Sequence, residues 1–504
     1  MQMSSQNRNK WIVITFAFMI ATSLLALPNN STNAQRTEIG APDGCPAPGS
    51  LDLTYNNTGI TTAPNGFGTA AALQSDQKVV MAGGGFVLAR YNTNGTLDPS
   101  FIRINSPFGT SSYPVALVVQ PDGRKIAAGY VATGLGLVRY NADGTLDTTF
   151  NSGGTFVTQT TGPATSLALQ TNGSILVGAG ESVLRFNSDG SLDPSFDGDG
   201  IRVLPVGVTA SAVALSLDGS IFVAGSSSFA GGSFVVARLL PDGTLDTSFN
   251  GTGIASTPIG NFGASLRSMV LQPDGKIVVA GEAAIGSFSD FALVRWNTDG
   301  SLDGSFDVDG KVTTSLGPER DLANSVAVQA DGRIIAGGYS VSSSNDLALV
   351  RYNANGSLDA SFGNAGRVVR RIAGSTAIGN SVLVQSDGNI ILAGSQTPNT
   401  APVPGTFVVA RFIGRFCTTA SLVSIEGRVI TLDGRGLRNA TVSVTDSAGN
   451  RRSAPTSSFG YYRIDGIEAG SSIAISVRSN RYRFVPRTIN VLDSLTAIDF
   501  VAAE

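Results

Sequence analysis

The sequence predicts an all-β fold assembled from repeated four-stranded units, and three observations carry the prediction. A segment of the form G-[ST]-L-D-x-[ST]-F recurs six times, placing its acid at Asp98, Asp147, Asp193, Asp246, Asp303 and Asp359. A weaker copy from Gly49 to Tyr55 holds Asp52, and successive copies lie 46, 49, 46, 53, 57 and 56 residues apart. Between copies runs a second motif, an apolar alternation, then Gln-x-Asp-Gly, then an apolar run ending in Ala-Gly, as from Val326 to Gly337. No stretch carries a helical period. A self-similar period of about 50 residues means stacked supersecondary units, and four-stranded units repeated radially describe a β-propeller. The second motif occurs once in each of seven units, so the expected architecture is a seven-bladed β-propeller followed by a small β-sandwich.

Each unit reads as four strands. In the sixth they are Gly310 to Ser315, Ser325 to Gln329, Arg333 to Gly338 and Asp346 to Tyr352. Asp331-Gly332 is expected to form a two-residue hairpin turn with positive φ at both positions. Equivalent turns fall at Asp122-Gly123, Asn172-Gly173, Asp218-Gly219, Asp274-Gly275 and Asp387-Gly388, while the first unit departs with Asp76-Gln77. The R-Y-N-x-D-G-S-L-D-x-S-F and Q-x-D-G-K-I-x-V-A-G wording resembles the bacterial delta-60 repeat over about Pro48 to Phe412. That resemblance implies propeller blades and brings no established chemistry with it.

Composition bounds the function. The formal net charge is −3 and only 14% of residues are charged, whereas nucleic-acid binding needs a basic face. Arg8 and Lys10, the apolar stretch Trp11 to Leu27 and the polar segment ending at Ala34 match a secretory signal. An uncleaved anchor is the alternative, although 17 residues are at the short limit for a span. The expected organisation is a signal peptide at 1–34, a linker at 35–48, the propeller at 49–416 and the sandwich at 417–504. A bacterial protein of this design is secreted or held at the cell surface, with no stable membrane span after cleavage. Its two cysteines, Cys45 and Cys417, flank the repeats. A closed propeller brings its first and last blades together, so an oxidising compartment would let them bond; two unpaired thiols are the alternative.

Length varies among the repeats at Ser226 to Ser233, Glu282 to Asp290, Tyr339 to Asp346 and Gln396 to Thr406, and the sixth unit adds Leu316 to Asn324. In an up-and-down blade these connections share one face, and the Asp-Gly turns and N-x-D-G-S-L-D crossings share the other. Insertions confined to one face often mark a binding face, although surface loops also drift in length without function. The residues expected to bind there are Phe229, Phe288, Glu319, Arg320, Asp321 and Tyr339, with a polysaccharide or an envelope protein as ligand.

After Cys417 the wording changes. I-E-G-R-V-I-T-L-D-G-R-G-L-R-N-A-T-V-S-V-T-D from Ile425, followed by F-G-Y-Y-R-I-D-G-I-E-A-G from Phe459, gives alternating strands at short spacing with Gly and Asp turns. This stretch resembles the carboxypeptidase regulatory-like, transthyretin-like domain, which implies an accessory module without catalytic residues.

The chain contains no histidine, which removes Ser-His-Asp and Cys-His arrangements, imidazole metal sites and the commonest general base. Any enzyme would rest on carboxylates, as a glycoside hydrolase or lyase does, or on a Ser-Lys pair, but only five lysines exist and exposed turn carboxylates such as Asp197, Asp199, Asp307 and Asp309 have no reason to shift their pKa. Lys78, Lys125 and Lys276 follow hairpin turns and read as solvated surface. Arg90, Arg139, Arg185, Arg238, Arg295, Arg351 and Arg411 end the last strand of each unit. A group placed identically in every unit serves the fold, so these are expected to pair with the repeated Asp residues, in a two-pronged geometry where the carboxylate allows it. Asn297-x-Asp299-Gly300-x-x-Asp303 partly matches a calcium loop, with an ordinary turn as the plainer reading. No cofactor is expected, calcium being the one candidate. A non-catalytic binding scaffold is therefore the leading reading, ahead of a carboxylate enzyme and a purely structural matrix component. Mass spectrometry of the secreted, non-reduced protein should show Cys45 linked to Cys417; two free thiols would refute the clasp.

Overall fold

The computed structural model describes residues 46–503 apart from 64–65, 102–106, 110, 160–161, 206, 228–231, 400–404, 416–421, 447–450, 469–471, 492–494 and 496–497. The expectations placed on the signal segment, Cys45, Cys417 and Phe229 lie outside the described residues.

The fold is all-β and propeller-like. Between residues 60 and 412 the described strands form seven antiparallel sheets, one of three strands and six of four. In the sixth, Asp321–Val328, Ile334–Val341, Asn345–Tyr352 and Arg367–Arg370 follow one another in space as in sequence. The middle two are almost wholly buried, which is why they read as unbroken apolar runs rather than as alternations.

Sheets and sequence units are offset by one strand. The strand expected to open each unit closes the preceding sheet instead, as Lys311–Thr314 does beside Phe288–Trp296. The first such strand, Ile60–Ala63, follows the weak copy of the motif and has no earlier sheet to join. It pairs with Thr406–Phe412, Ile60 opposite Ala410, so one sheet contains both ends of the array.

Consecutive sheets share apolar cores. Val278, Ala280, Phe291 and Leu293 of the fifth pack with Ala323, Ile334, Ala336 and Val350 of the sixth. Val79, Met81 and Tyr91 of the first do so with Ile391, Ala393, Phe407 and Val409 of the last. On the inner strands a bulge turns a serine toward the next sheet: Ser325 Oγ accepts from the Val382 N–H at 3.0 Å, and Ser381 Oγ accepts from the Ala71 N–H at 3.1 Å.

The Asp-Gly hairpins differ from the expected turn. Gly332 has φ +84 but Asp331 keeps a negative φ. The Gly332 N–H donates to the Gln329 carbonyl at 2.9 Å, and the Gln329 N–H donates to the Arg333 carbonyl at 2.8 Å. This is a three-residue loop, a type I turn followed by a left-handed residue in a bulge. The aspartate's task is local, its Oδ1 accepting from the Arg333 N–H. In the first unit Gln77 takes the left-handed place at φ +64, and its Oε1 accepts from the Ser386 N–H of the last sheet at 2.9 Å.

The C-terminal residues form two further sheets. Leu422–Ile430 lies between antiparallel Tyr461–Glu468 and parallel Phe500–Val501. The other sheet runs Arg451–Pro455, Thr441–Asp446, Ser472–Arg478, Arg487–Asn490. Both contribute to one core that includes Ile425, Val429, Val442, Val444, Ile475 and Phe500.

Gly356 tests how tightly the sheets approach. It has φ +89, and a Cβ there would lie 2.8 Å from the Asp307 nitrogen and 2.9 Å from the Phe306 ring of the sheet before. Gly356→Ala should cost at least about 2 kcal/mol in urea unfolding, combining backbone strain with overpacking. Gly84→Ala, which meets nothing within 4 Å, should stay within about 0.5 kcal/mol of wild type.

Candidate functional site

The two ends of the sheets differ in chemistry, and the turn-and-crossing end is the more regular. There the repeated Arg and Asp residues come together. Arg90–Asp98 is 2.9 Å, Arg139–Asp147 2.7 Å, Arg185–Asp193 2.7 Å, Arg238–Asp246 3.1 Å, Arg295–Asp303 2.7 Å and Arg351–Asp359 2.8 Å. Arg411 reaches Asp52, from the other end of the chain, at 2.8 Å. The local reason is a tight loop: Leu358 bridges back to Tyr352, and the Asp359 N–H donates to the Arg351 carbonyl at 3.0 Å.

Each letter of the motif has a partner. Asp359 Oδ1 accepts from the Ser361 N–H and hydroxyl, at 3.0 and 2.6 Å, leaving Oδ2 for the arginine. The expected two-pronged pairing is therefore corrected: one carboxylate oxygen is already spent on the Ser or Thr two residues on. The guanidinium of Arg351 lies 4.4 Å over the Phe362 ring, and Arg90, Arg139, Arg185, Arg295 and Arg411 stack likewise on Phe101, Phe150, Phe196, Phe306 and Tyr55. Arg238 departs, its guanidinium lying 5.8 Å over Phe222. The same guanidiniums donate to a carbonyl of the following repeat, Arg139 to Ser188 and Arg295 to Ala354 at 2.5 Å, Arg411 to Thr93 at 2.8 Å.

These contacts hold the six acids from Asp98 to Asp359 ionised. The Ser100 hydroxyl, followed after the opposing effect of burial by Lys78, keeps Asp98 far below the ordinary carboxylate range. Burial is the largest influence on Asp147, Asp193, Asp303 and Asp359 and pushes upward, but the Ser or Thr bonds and the cations outweigh it and the net shift is downward.

The lysines are not solvated surface. Lys78 pairs with Asp98 at 3.0 Å and Lys276 with Asp303 at 2.9 Å. Lys125 is fully buried. An extra cation, Arg124, moves it into the strand position that Val79, Ile175 and Ile221 fill elsewhere. Its Nζ donates to the Ala142 carbonyl at 2.6 Å, a bond that Arg90 makes at only 3.5 Å, and lies 5.0 Å over Phe101. Burial, then the Arg90 charge, pull its pKa down to about 8.

The calcium-like loop does not present its oxygens together. Asp299 Oδ1 accepts from Ser301, Asn297 donates to the Ser301 hydroxyl, and Asp303 faces two cations. Among the described residues no group of three His, Cys, Asp or Glu is placed to hold a metal ion.

At the opposite end, the variable connections are mostly lengthened strands. Ile277–Ile285 and Phe288–Trp296 continue their ladder to Ile285 opposite Phe288, and Tyr339 lies within Ile334–Val341, opposite Leu322 and Leu347. Phe288 is exposed and Glu319 and Tyr339 are half-buried. Arg320 is engaged by Glu282 of the fifth sheet through Nε and Nη2 at 2.9 and 2.7 Å, with Arg267 at 3.3 Å. Asp321 is completely buried, its Oδ2 accepting from the Leu316 N–H at 2.7 Å, so it is corrected from a ligand contact to an internal group. Burial, together with the charge of Asp290, pushes its pKa up, and burial also raises Asp290. Asp307 is raised by burial and then by Asp309, correcting the expectation that turn carboxylates stay unshifted.

Sequence reasoning missed Glu282, although a charge directly after the Ala-Gly that ends a buried run was a signal. It also missed a pattern among exposed aromatics. Phe67, Tyr113, Tyr130, Phe262 and Phe288, exposed between 41% (Tyr130) and 72% (Phe262), all lie at the variable end of their sheets. Tyr113 stands directly opposite Tyr130. The exposed apolar residues of the turn end are aliphatic, Leu53, Leu97, Leu217, Leu240, Leu302 and Val308.

Six segments, 74–101, 120–150, 170–196, 217–249, 272–306 and 329–362, match the profile of a family described as "Domain of unknown function (DUF5122) beta-propeller". They contain the six full copies of the motif, so the repeat is a β-propeller repeat. No curated protein matches the chain. Among solved structures, the WD40 repeats of RRP9 are 14% identical, with 72% of this chain and 99% of that one covered and a TM-score of 0.48. A gluconolactonase from Xanthomonas campestris is 13% identical over 70% and 89%, TM-score 0.35. PorZ, a bacterial surface component of the type-IX secretion system of Porphyromonas gingivalis, is 11% identical over 85% and 60%, TM-score 0.39.

Asp359→Ala should destabilise by about 3 kcal/mol or more, because it leaves the buried Arg351 charge unpaired, whereas Asp331→Ala at the surface should change little. Asp98, Asp147, Asp193, Asp246, Asp303 and Asp359 have folded pKa values below their unfolded ones, so their stabilisation is complete above about pH 4 and is lost as pH falls toward the lowered values. Acid titration followed by circular dichroism checks this. Lys125 contributes a cost where the acids contribute a gain: its folded value near 8 is below the ordinary 10.5, so the cost is present at neutral pH and fades as pH rises across that interval. Lys125→Ile should therefore raise the melting temperature at pH 7 by a margin that shrinks toward pH 10.

Proposed function

We propose that the chain is a secreted, non-catalytic binding scaffold of the bacterial cell envelope. In this reading the seven sheets are blades of one closed propeller, clasped by Cys45 and Cys417 and followed by a carboxypeptidase regulatory-like sandwich. The variable face meets a polysaccharide or an envelope protein. The observation that carries this reading is the confinement of the array's exposed aromatics to that face: large rings left in water at one end of the sheets mark an interaction surface. Tyr113, Tyr130 and Phe288 are presented from strands rather than from long loops, which lowers the ordering cost of binding.

A second reading, a carboxylate-based hydrolase or lyase, draws support from Asp290 and Asp321, whose raised pKa values suit a general acid. The enclosure of Asp321 weighs against it. The test is a retention screen of the full chain against cell-wall polysaccharides and envelope extracts, with product analysis. Retention with intact ligand, weakened about tenfold by Phe288→Ala or Tyr113→Ala, is the expected result. Degraded ligand would replace this reading with the enzymatic one, and no retention at all would favour a structural matrix role.

A further inference from the structure

The C-terminal sheets contain a surface groove of about 460 Å³ whose lining includes Glu426, Thr456, Ser457, Tyr461 and Arg463. Its polar groups are balanced. Arg463 pairs with Glu426 across the strand pair and with Asp465 at 2.7 Å. Thr456 and Ser457 are used by the local backbone, Thr456 Oγ1 donating to the Leu437 carbonyl at 2.6 Å and Ser457 Oγ accepting from the Tyr461 N–H at 3.1 Å. With one acid and one base on its walls, the groove selects neither polyanions nor polycations.

Its aromatic edge is built rather than incidental. Arg428 donates through Nε to the Phe459 carbonyl at 2.8 Å and lies 5.3 Å over the Tyr461 ring, fixing both residues of the turn. Tyr461 nevertheless remains 59% exposed and the adjacent Phe459 69%. A held ring left in water beside a groove costs apolar exposure that a ligand face can recover.

We propose that this groove binds a neutral polysaccharide. A hexose ring presents a C–H face that stacks on an aromatic ring and a rim of hydroxyls that both donate and accept. Tyr461 supplies the stacking surface, and the Glu426–Arg463 pair supplies an acceptor and a donor side by side. Charge balance excludes uronic-acid polymers and nucleic acid as preferred ligands. The site shares no residue with the variable face, so it stands or falls independently of the scaffold reading above.

The experiment is affinity electrophoresis of the full chain in gels containing soluble mixed-linkage β-glucan, galactomannan or polygalacturonate. Retardation by at least one neutral polymer and not by polygalacturonate is expected. Tyr461→Ala should weaken it about tenfold with unchanged melting temperature, while Phe288→Ala and Tyr113→Ala leave it intact. No retardation by either neutral polymer, retardation insensitive to Tyr461→Ala, or retardation lost only in the Phe288 and Tyr113 variants would overturn the assignment. Retention of the full chain by envelope protein alone, sensitive to Tyr461→Ala, would overturn it equally, since it would make the groove a protein contact.

Discussion

The array depends on a guanidinium held between three partners: the aspartate eight residues on, the aromatic ring three residues beyond that, and a carbonyl of the next repeat. Arg351 illustrates the constraint, with Asp359 at 2.8 Å, Phe362 at 4.4 Å and the Gly414 carbonyl as its third contact. A charge so enclosed is stable only when every donor is met. Fixing the arginine therefore fixes the crossing, the strand it follows and the sheet it reaches. The conserved spacing of L-D-x-[ST]-F within the chain is the linear trace of that geometry. Ser or Thr occupies one carboxylate oxygen, and Gly in the next turn lets the ring come close, as Gly356 does against Phe306.

That lock makes the two ends of the sheets unequal. One end is committed to holding neighbours together, and Asp98 and Asp303 there are held ionised far into the acid range. Lys125 shows how the lock tolerates substitution: a cation in an apolar strand position takes over the carbonyl that Arg90 reaches only weakly. The other end is released from this duty, and there strands lengthen, aromatics stay exposed and the Glu282–Arg320 clamp joins the fifth and sixth sheets by a different chemistry. Function placed on this face would not disturb the contacts that assemble the array.

The C-terminal sheets follow another logic, one apolar core between two sheets with a groove on the outer surface. Aromatic exposure recurs there, on Phe459 and Tyr461.

Sequence alone determined the all-β class, the propeller repeat, the order of strands and Asp-Gly turns within a unit, and the partners Arg and Asp. These depend on side-chain period and on residues eight apart, information that is local and repeated. Glu282 and the aromatic pattern were partly legible as departures from the repeat, once Phe67, Tyr113 and Phe262 are seen to stand at or just before the start of inner strands. Only the tertiary structure decided which sheet each outer strand joins, and that Ile60–Ala63 completes a sheet with Thr406–Phe412. It also decided that Asp321 and Lys125 are enclosed, and that the segments around Tyr339 and Glu282 are ladder rather than loop. The reason is physical: burial and strand pairing are set by partners from another repeat, and a residue's own neighbours in sequence carry no record of which repeat that will be.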